Sequence, residues 1–216
     1  MIQTIARFVF FNFVIRPVVH IYLGVRIKHR DRLPVKGPAI IAANHNSHLD
    51  AMVLLTIFGR RISRKLRPVA AADYFLRNRV LAWFALKVIG IIPLSRNVRA
   101  GSTDPLELCH QALKNRDILI IFPEGSRGEA ERLSRFKSGI AHLAKKHPYV
   151  PVIPVFLHGL GKALPKGEFL IVPFYVDVVV GEPIFGETFP DKNNFMDALE
   201  KGMSELATEI KVPEWD

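Results

Sequence analysis

The sequence predicts an α/β protein: a layered, mostly parallel sheet flanked by helices, preceded by an N-terminal membrane-associating helical segment. Three observations lead there. Short apolar runs recur at residues 38–41, 68–72, 117–122, 150–156 and 174–180, and stretches of helical periodicity alternate with them. The run Ile118-Leu119-Ile120-Ile121 is apolar throughout, the pattern of a strand buried on both faces. Residues 30–216 contain no repeat, no low-complexity tract and no convincing boundary, so residues 28–216 are read as one domain and residues 1–27 as a separate apolar segment.

In order, residues 1–27 are the most hydrophobic stretch, with Phe8, Phe10, Phe11 and Phe13 close together. Arg7, Asn12, Arg16 and His20 punctuate the run and Pro17 breaks it, leaving it short of the ~20 apolar residues of a bilayer span. It lacks a small-residue cleavage site, which argues against a removed signal peptide. We expect one or two helices dipping into one leaflet, with the arginines reaching back to phosphates. The alternative is a helix packed wholly on the protein's own core. Residues 25–32 suit an edge strand or loop, and Leu33-Pro34-Val35-Lys36-Gly37-Pro38 a turn. Residues 38–41 read as a buried strand and residues 51–55 as an apolar helix. Arg60, Arg61, Arg64, Lys65 and Arg67 form a basic run suited to anionic headgroups or an acidic carrier, or simply to solvent. A strand follows at 68–72, a helix at 74–88, a short strand at 90–96, an amphipathic helix at 104–115 and the central strand at 117–122. After a charged loop, a helix runs to Lys146. The prolines of residues 150–156 suggest a bulge or an edge strand. A strand at 174–180 and an amphipathic helix at 193–210 close the chain.

Thirty basic against 20 acidic side chains give a formal charge of +10, alongside 49% hydrophobic residues. That charge calls for an anionic partner, and the apolar content favours a membrane phospholipid surface over nucleic acid. Cys109, the single cysteine, excludes an internal disulfide or a cysteine metal cluster and is expected in the core.

Chemistry concentrates in Ala42-Ala43-Asn44-His45-Asn46-Ser47-His48-Leu49-Asp50, at a strand-to-helix junction. On a continuous helix, His45 and Asp50 would be rotated by about 140° and could not meet. They meet only if His45 precedes the helix and the chain folds back on its first turn. The carboxylate then accepts from one ring nitrogen and leaves the other as a base. No Gly-x-Ser-x-Gly elbow accompanies the pair, so the nucleophile would arrive with the substrate, most simply as a hydroxyl. The plainer reading is a helix start capped by Asn46 or Ser47, with His45 a satisfied polar residue. Two more strand ends release polar groups: Arg96, and Pro123-Glu124-Gly125-Ser126-Arg127-Gly128. In open α/β sheets, ligands collect at such ends. Arg96 and Arg127 suit forked bonds to phosphate oxygens, the amides of Gly125 and Gly128 can join them, and Glu124 can brace an arginine or accept from a hydroxyl.

Asn44-His45 with Asp50, Gly90 through Arg96, Phe122-Pro123-Glu124-Gly125-Ser126-Arg127 and Val152-Ile153-Pro154-Val155 resemble, in order and spacing, the four blocks of the glycerolipid acyltransferase family. That family includes the lysophosphatidic acid (1-acylglycerol-3-phosphate) acyltransferases. Ser126 stands where the family often has Thr, and Gly128 where it often has Ser. The resemblance implies acyl transfer from acyl carrier protein or coenzyme A to the free hydroxyl of lysophosphatidic acid, giving phosphatidic acid. It makes His45 the general base and Asp50 its support, puts the acceptor phosphate on Arg96, Glu124, Gly125, Ser126 and Arg127, and leaves Pro154 structural. For the oxyanion we name amides near Ser138-Gly139-Ile140, with Lys137 beside them. No metal is needed, nor any cofactor beyond the thioester co-substrate. The expected location is the cytoplasmic face of a membrane, the inner membrane in a bacterium. Rival readings are another acceptor (glycerol 3-phosphate or a lyso-aminolipid), hydrolysis by water as a thioesterase or lipid hydrolase, and non-catalytic binding.

Overall fold

The computed structural model describes residues 2–59, 61–95, 104–128, 133–164 and 170–210. Ile2–Val9 form α1, and the helix continues through Phe10–Ile15 and Val18–Tyr22 with wider turns, in which Arg16 N reaches Phe11 O and Leu23 N reaches Val18 O. There follow β1 (Gly24–Lys28), β2 (Ala39–Ala43), α2 (Leu49–Ile57), β3 (Leu66–Ala71), α3 (Ala72–Phe75) and α4 (Arg79–Trp83), the last prolonged by Phe84–Ile89. Then come β4 (Ile92–Leu94), α5 (Glu107–Lys114), β5 (Ile118–Ile121), α6 (Gly139–Lys146), β6 (Val152–His158), α7 (Leu160–Ala163), β7 (Tyr175–Val180) and α8 (Lys192–Thr208).

The strands form one seven-stranded sheet in the order β1-β7-β6-β2-β5-β3-β4. From β6 to β4 all pairs are parallel; β7 runs antiparallel to β6, and β1 follows β7. The segments leaving β2, β3, β5 and β6 therefore emerge at one edge, where α/β ligands gather. Alternation sorts the side chains into two layers. Ala39, Ile41 and Ala43 of β2 face a core under α2, the N-terminal helix and Phe84–Ile89, while Ile40 and Ala42 face a core under α5, α6 and α8. Phe195, Leu199, Met203 and Leu206 seat α8, each buried side chain contributing ~1.5–3 kcal/mol. Cys109 is buried as expected, and burial pushes its thiol up to about 12.

The structure revises three expectations. The 150–156 strand is interior, not an edge: Pro154 lies opposite Gly181, one residue past the end of β7, where its missing N–H has no strand partner to serve, and its carbonyl accepts from Gly181 N at 2.8 Å. The 74–88 helix is broken, because Asn78 accepts from Leu81 N at 2.7 Å and starts a new helix. The basic run is partly structural: Arg67 and Lys65 both close on Asp117, at 3.0 and 3.2 Å.

The N-terminal helix combines the two readings the sequence offered. Ile15, Val19 and Leu23 are buried on the sheet, while Phe13 and Ile21 are 69% and 84% exposed. The helix ends at Tyr22, and the chain enters the sheet at Gly24, within the segment expected over residues 1–27. By length and composition Ile5–Tyr22 could cross a membrane. Yet both its ends are tied to the domain, at opposite sheet edges. Arg7 donates to Val88 O (2.8 Å), Ile89 O (2.7 Å) and Ser63 O (2.8 Å), next to the start of β4. At the other end the Tyr22 hydroxyl donates to Ile171 O at 2.9 Å, ahead of β7. Gly90 ends the Phe84–Ile89 turns with φ +83°, where a Cβ would stand 2.9 Å from an Arg67 guanidinium nitrogen and 3.1 Å from one of Arg7.

Arg7→Ala leaves three carbonyls short of a donor and is expected to lower the unfolding free energy by ~1–3 kcal/mol. Arg7→Lys should recover only part of this, because one ammonium cannot fork across all three. Denaturant melts of the two variants check it.

Candidate active site

At the end of β2, the Asn44 side chain takes over the pairing with β6. Its Nδ2 donates to Leu157 O at 2.8 Å and its Oδ1 accepts from Leu157 N at 2.7 Å. The main chain is thereby free to leave the sheet at His45, and the β5 loop catches it. His45 N donates to Glu124 Oε1 at 2.9 Å, and Gly128 N donates to His45 O at 3.0 Å. The imidazole stacks on Phe122, with ring centres 4.2 Å apart and planes 22° from parallel.

His45 lies outside α2 and Asp50 in its first turn, so the fold-back required by their spacing is present. His45 Nδ1 is 2.8 Å from Asp50 Oδ2, and that oxygen also accepts from Asn46 N (2.6 Å) and Ser47 N (2.8 Å). A carboxylate oxygen receiving two amides can only accept again, so Nδ1 carries the ring hydrogen and Nε2 is left with its lone pair. Burial raises the Asp50 carboxyl above its ordinary range; the His45 ring and the amides of Ser47 and Asn46 pull the other way, as does its place at a helix N-terminus. Burial, then the charges of Arg127 and His45, lower His48 below the ordinary imidazole range.

Arg127 is half-buried and close enough for its charge to act on His48, which brings the third block to the mouth of the His45 loop. Gly125, at φ +76°, sits at a turn where Gly125 N donates to Phe122 O at 3.0 Å. A Cβ there would be 2.7 Å from Lys137 Cε, so glycine lets the Lys137 chain lie across the turn. Ser126 is exposed beside it. Lys137 N donates to Pro123 O at 2.8 Å, which seats the start of α6, and with it Gly139, against the same turn. Lys137 and Gly139 thus join the Glu124–Arg127 loop; among the described residues neither bonds His45. Arg96 lies outside the described residues.

Glu124, expected at the acceptor phosphate, holds the His45 main chain. The residue is 4% exposed, and its Oε1 accepts from the His45 amide. Burial raises its carboxyl above the ordinary range, opposed by the His45 amide. The Asn44 clamp and the Phe122 stacking are not among the contacts expected from the sequence. A polar residue closing an all-apolar strand was a signal for a side-chain clamp; nothing in the sequence named the ring that Phe122 meets.

The acyltransferase family model matches residues 24–158, which hold His45, Asp50, Glu124 and Arg127. The chain belongs to this family. A chloroplastic 1-acyl-sn-glycerol-3-phosphate acyltransferase of Arabidopsis thaliana, LPAT1, is 30% identical over 170 residues, covering 78% of this chain and 46% of the relative. Its Brassica napus counterpart BAT2 is 32% identical over 150 residues, 69% of this chain and 41% of the relative. The chain therefore matches less than half the length of these relatives. The crystal structure of the 1-acyl-sn-glycerophosphate acyltransferase PlsC from Thermotoga maritima shares the fold, with a TM-score of 0.76 at 23% identity over 99% of this chain and 81% of that one.

The buried Glu124 gives a test with a definite sign. A folded-state carboxyl raised above its unfolded value takes up protons more readily in the native state, so the wild type loses stability as pH rises through that value. Glu124→Gln keeps an oxygen for the His45 amide and removes the charge. It should melt at or above the wild type at about pH 7, with the gap closing toward about pH 5. Glu124→Ala, which drops the acceptor, should melt lower at both. A pH series of thermal melts reads this out.

Proposed function

We propose that the protein transfers a fatty acyl group from acyl-coenzyme A or acyl carrier protein to the free hydroxyl of lysophosphatidic acid, giving phosphatidic acid. The observation carrying this is the 2.8 Å bond between His45 Nδ1 and Asp50 Oδ2, which leaves Nε2 as a base; among the described residues no side-chain hydroxyl or thiol is hydrogen-bonded to it. The names of the relatives supply the substrate class.

In this reading the acceptor hydroxyl gives its proton to His45 Nε2 as its oxygen attacks the thioester carbonyl carbon. A carbon–oxygen bond forms, and the carbonyl π pair moves onto oxygen. The tetrahedral oxyanion then collapses, the carbon–sulfur bond breaks, and the thiolate takes the proton back from the imidazolium. Asp50 holds the ring orientation and offsets the imidazolium charge, as the third member of a triad does. No acyl-enzyme forms. Amides at the start of α6, near Gly139, with Lys137 across the turn, are the proposed oxyanion donors, worth a few kcal/mol in a dry site. Arg127, with Arg96 and Ser126, takes the acceptor phosphate; Gly125 shapes the turn that presents them, its amide being held by Phe122 O, and Glu124 serves by fixing the His45 main chain. The exposed apolar helix and the +10 charge support work at an anionic lipid surface, at the cytoplasmic face in our reading.

The test is purified protein with acyl-coenzyme A and acyl carrier protein donors in parallel, offered lysophosphatidic acid, glycerol 3-phosphate or a lyso-aminolipid, with products read by mass. Phosphatidic acid is expected; fatty acid release independent of acceptor would instead establish a hydrolase. His45→Ala should lower kcat by ~10²–10⁴-fold, with Asp50→Asn following it in direction. Arg127→Ala should raise KM for lysophosphatidic acid by ~10–100-fold and leave KM for the thioester unchanged, the scale of a lost charge-assisted hydrogen bond.

A further inference from the structure

Exposed apolar surface on this protein is one-sided. Of the large apolar side chains exposed among the described residues, all but Val35, Leu108 and Tyr149 fall in residues 5–22, 74–83 and 170–175. Inward neighbours in these three segments, such as Phe10, Phe75 and Ile171, pack into the same core layer, so the segments cover one face of the sheet. Val80 and Leu170, outside the N-terminal helix, are 79% and 77% exposed.

Where this face meets the edge bearing His45, exposed aromatic rings carry cations. The Arg77 guanidinium lies 5.2 Å from the centre of the Tyr74 ring, the Lys162 ammonium 5.7 Å from Phe174, and the Arg26 guanidinium 5.8 Å from Tyr175. These pairs flank the His45 loop on both sides. The Tyr74 ring lies 6.2 Å from His48, and beyond α7, which carries Lys162, Leu164 O accepts from the Ser47 hydroxyl at 3.2 Å. Aromatic rings beside basic side chains, next to a surface rich in exposed apolar side chains, are the composition of the headgroup level of a membrane.

We propose that residues 74–83 and 170–175 join the N-terminal helix in a single face that docks on one lipid leaflet, with the Tyr74–Arg77, Phe174–Lys162 and Tyr175–Arg26 pairs at the level of the lipid phosphates. This rests on the lipid-surface reading above and deepens it: the His45 cleft opens at the depth where an acceptor lipid carries its phosphate and free hydroxyl. Charge picks the leaflet over a second copy of the chain. A two-fold contact through this face would set its cationic rim against itself, whereas anionic headgroups complement the rim. The apolar part is also continuous with Ile5–Tyr22, which is tied along the domain at both ends.

Co-sedimentation with vesicles of phosphatidylcholine and phosphatidylglycerol tests this without turnover, so its outcome is independent of the acyl-transfer assay. The double variant Val80→Asp/Leu170→Asp, which keeps the whole N-terminal helix, should partition at least about tenfold more weakly. Tyr149→Asp, on a ring 75% exposed outside the face, should bind like wild type. Arg77→Ala/Lys162→Ala should lose the gain in binding that phosphatidylglycerol confers. Because the first variant introduces charge, a second measurement leaves the face intact. In a Trp215→Phe background, Trp83 fluorescence should be quenched by phosphatidylcholine brominated along its acyl chains. Wild-type partitioning of Val80→Asp/Leu170→Asp, or unquenched Trp83 on bound protein, overturns the proposal. So does a lipid-free dimer that shields Trp83 from iodide.

Discussion

A single carboxylate oxygen organises the candidate site. Asp50 Oδ2 receives the His45 ring and the amides of Asn46 and Ser47, so the chain must reverse within a few residues of leaving β2. A charge this deep is costly unless several donors meet it. Here the donors come from the loop it organises, and that loop presents the imidazole. Removing the carboxylate would free the ring and also leave the two amides without their acceptor.

The surrounding contacts follow from holding that reversal in place. Asn44 replaces a main-chain rung with its side chain, so β2 can stop without leaving Leu157 unpaired. Glu124 and Gly128 grip the N–H and C=O of His45 from the neighbouring strand's loop, and Phe122 backs the ring. Two motifs almost 80 residues apart in sequence thus become one rigid unit, because β2 and β5 are hydrogen-bonded neighbours in parallel register. The parallel sheet brings the strand ends together; the loops decide what they hold.

Much of this was legible in the sequence, for stateable reasons. The uniform apolar run at residues 118–121 marked a central strand, and the interval from His45 to Asp50 permitted contact only by a fold-back, which the structure contains. Local patterning misled where tertiary placement decides the outcome. Pro154 suggested an edge, because the sequence does not show that its missing N–H would fall just past the end of β7. Beside an arginine and two glycines, Glu124 gives no sign of its contact with the His45 amide, which depends on the packing of β5 against β2. The N-terminal helix was framed as either lipid-facing or core, whereas a helix lying across a sheet has a face for each.

The ring tautomer of His45 decides whether it can act as a base, since that requires Nδ1 to carry the hydrogen and Nε2 to be bare. Nitrogen-15 NMR of the imidazole in the unprotonated ring, for wild type and Asp50→Asn, measures this directly. A protonated Nδ1 and an unprotonated Nε2 are expected in the wild type, with that preference lost in the variant. A wild-type ring protonated on Nε2, or a tautomer indifferent to Asp50→Asn, would contradict the assignment of His45 as the base.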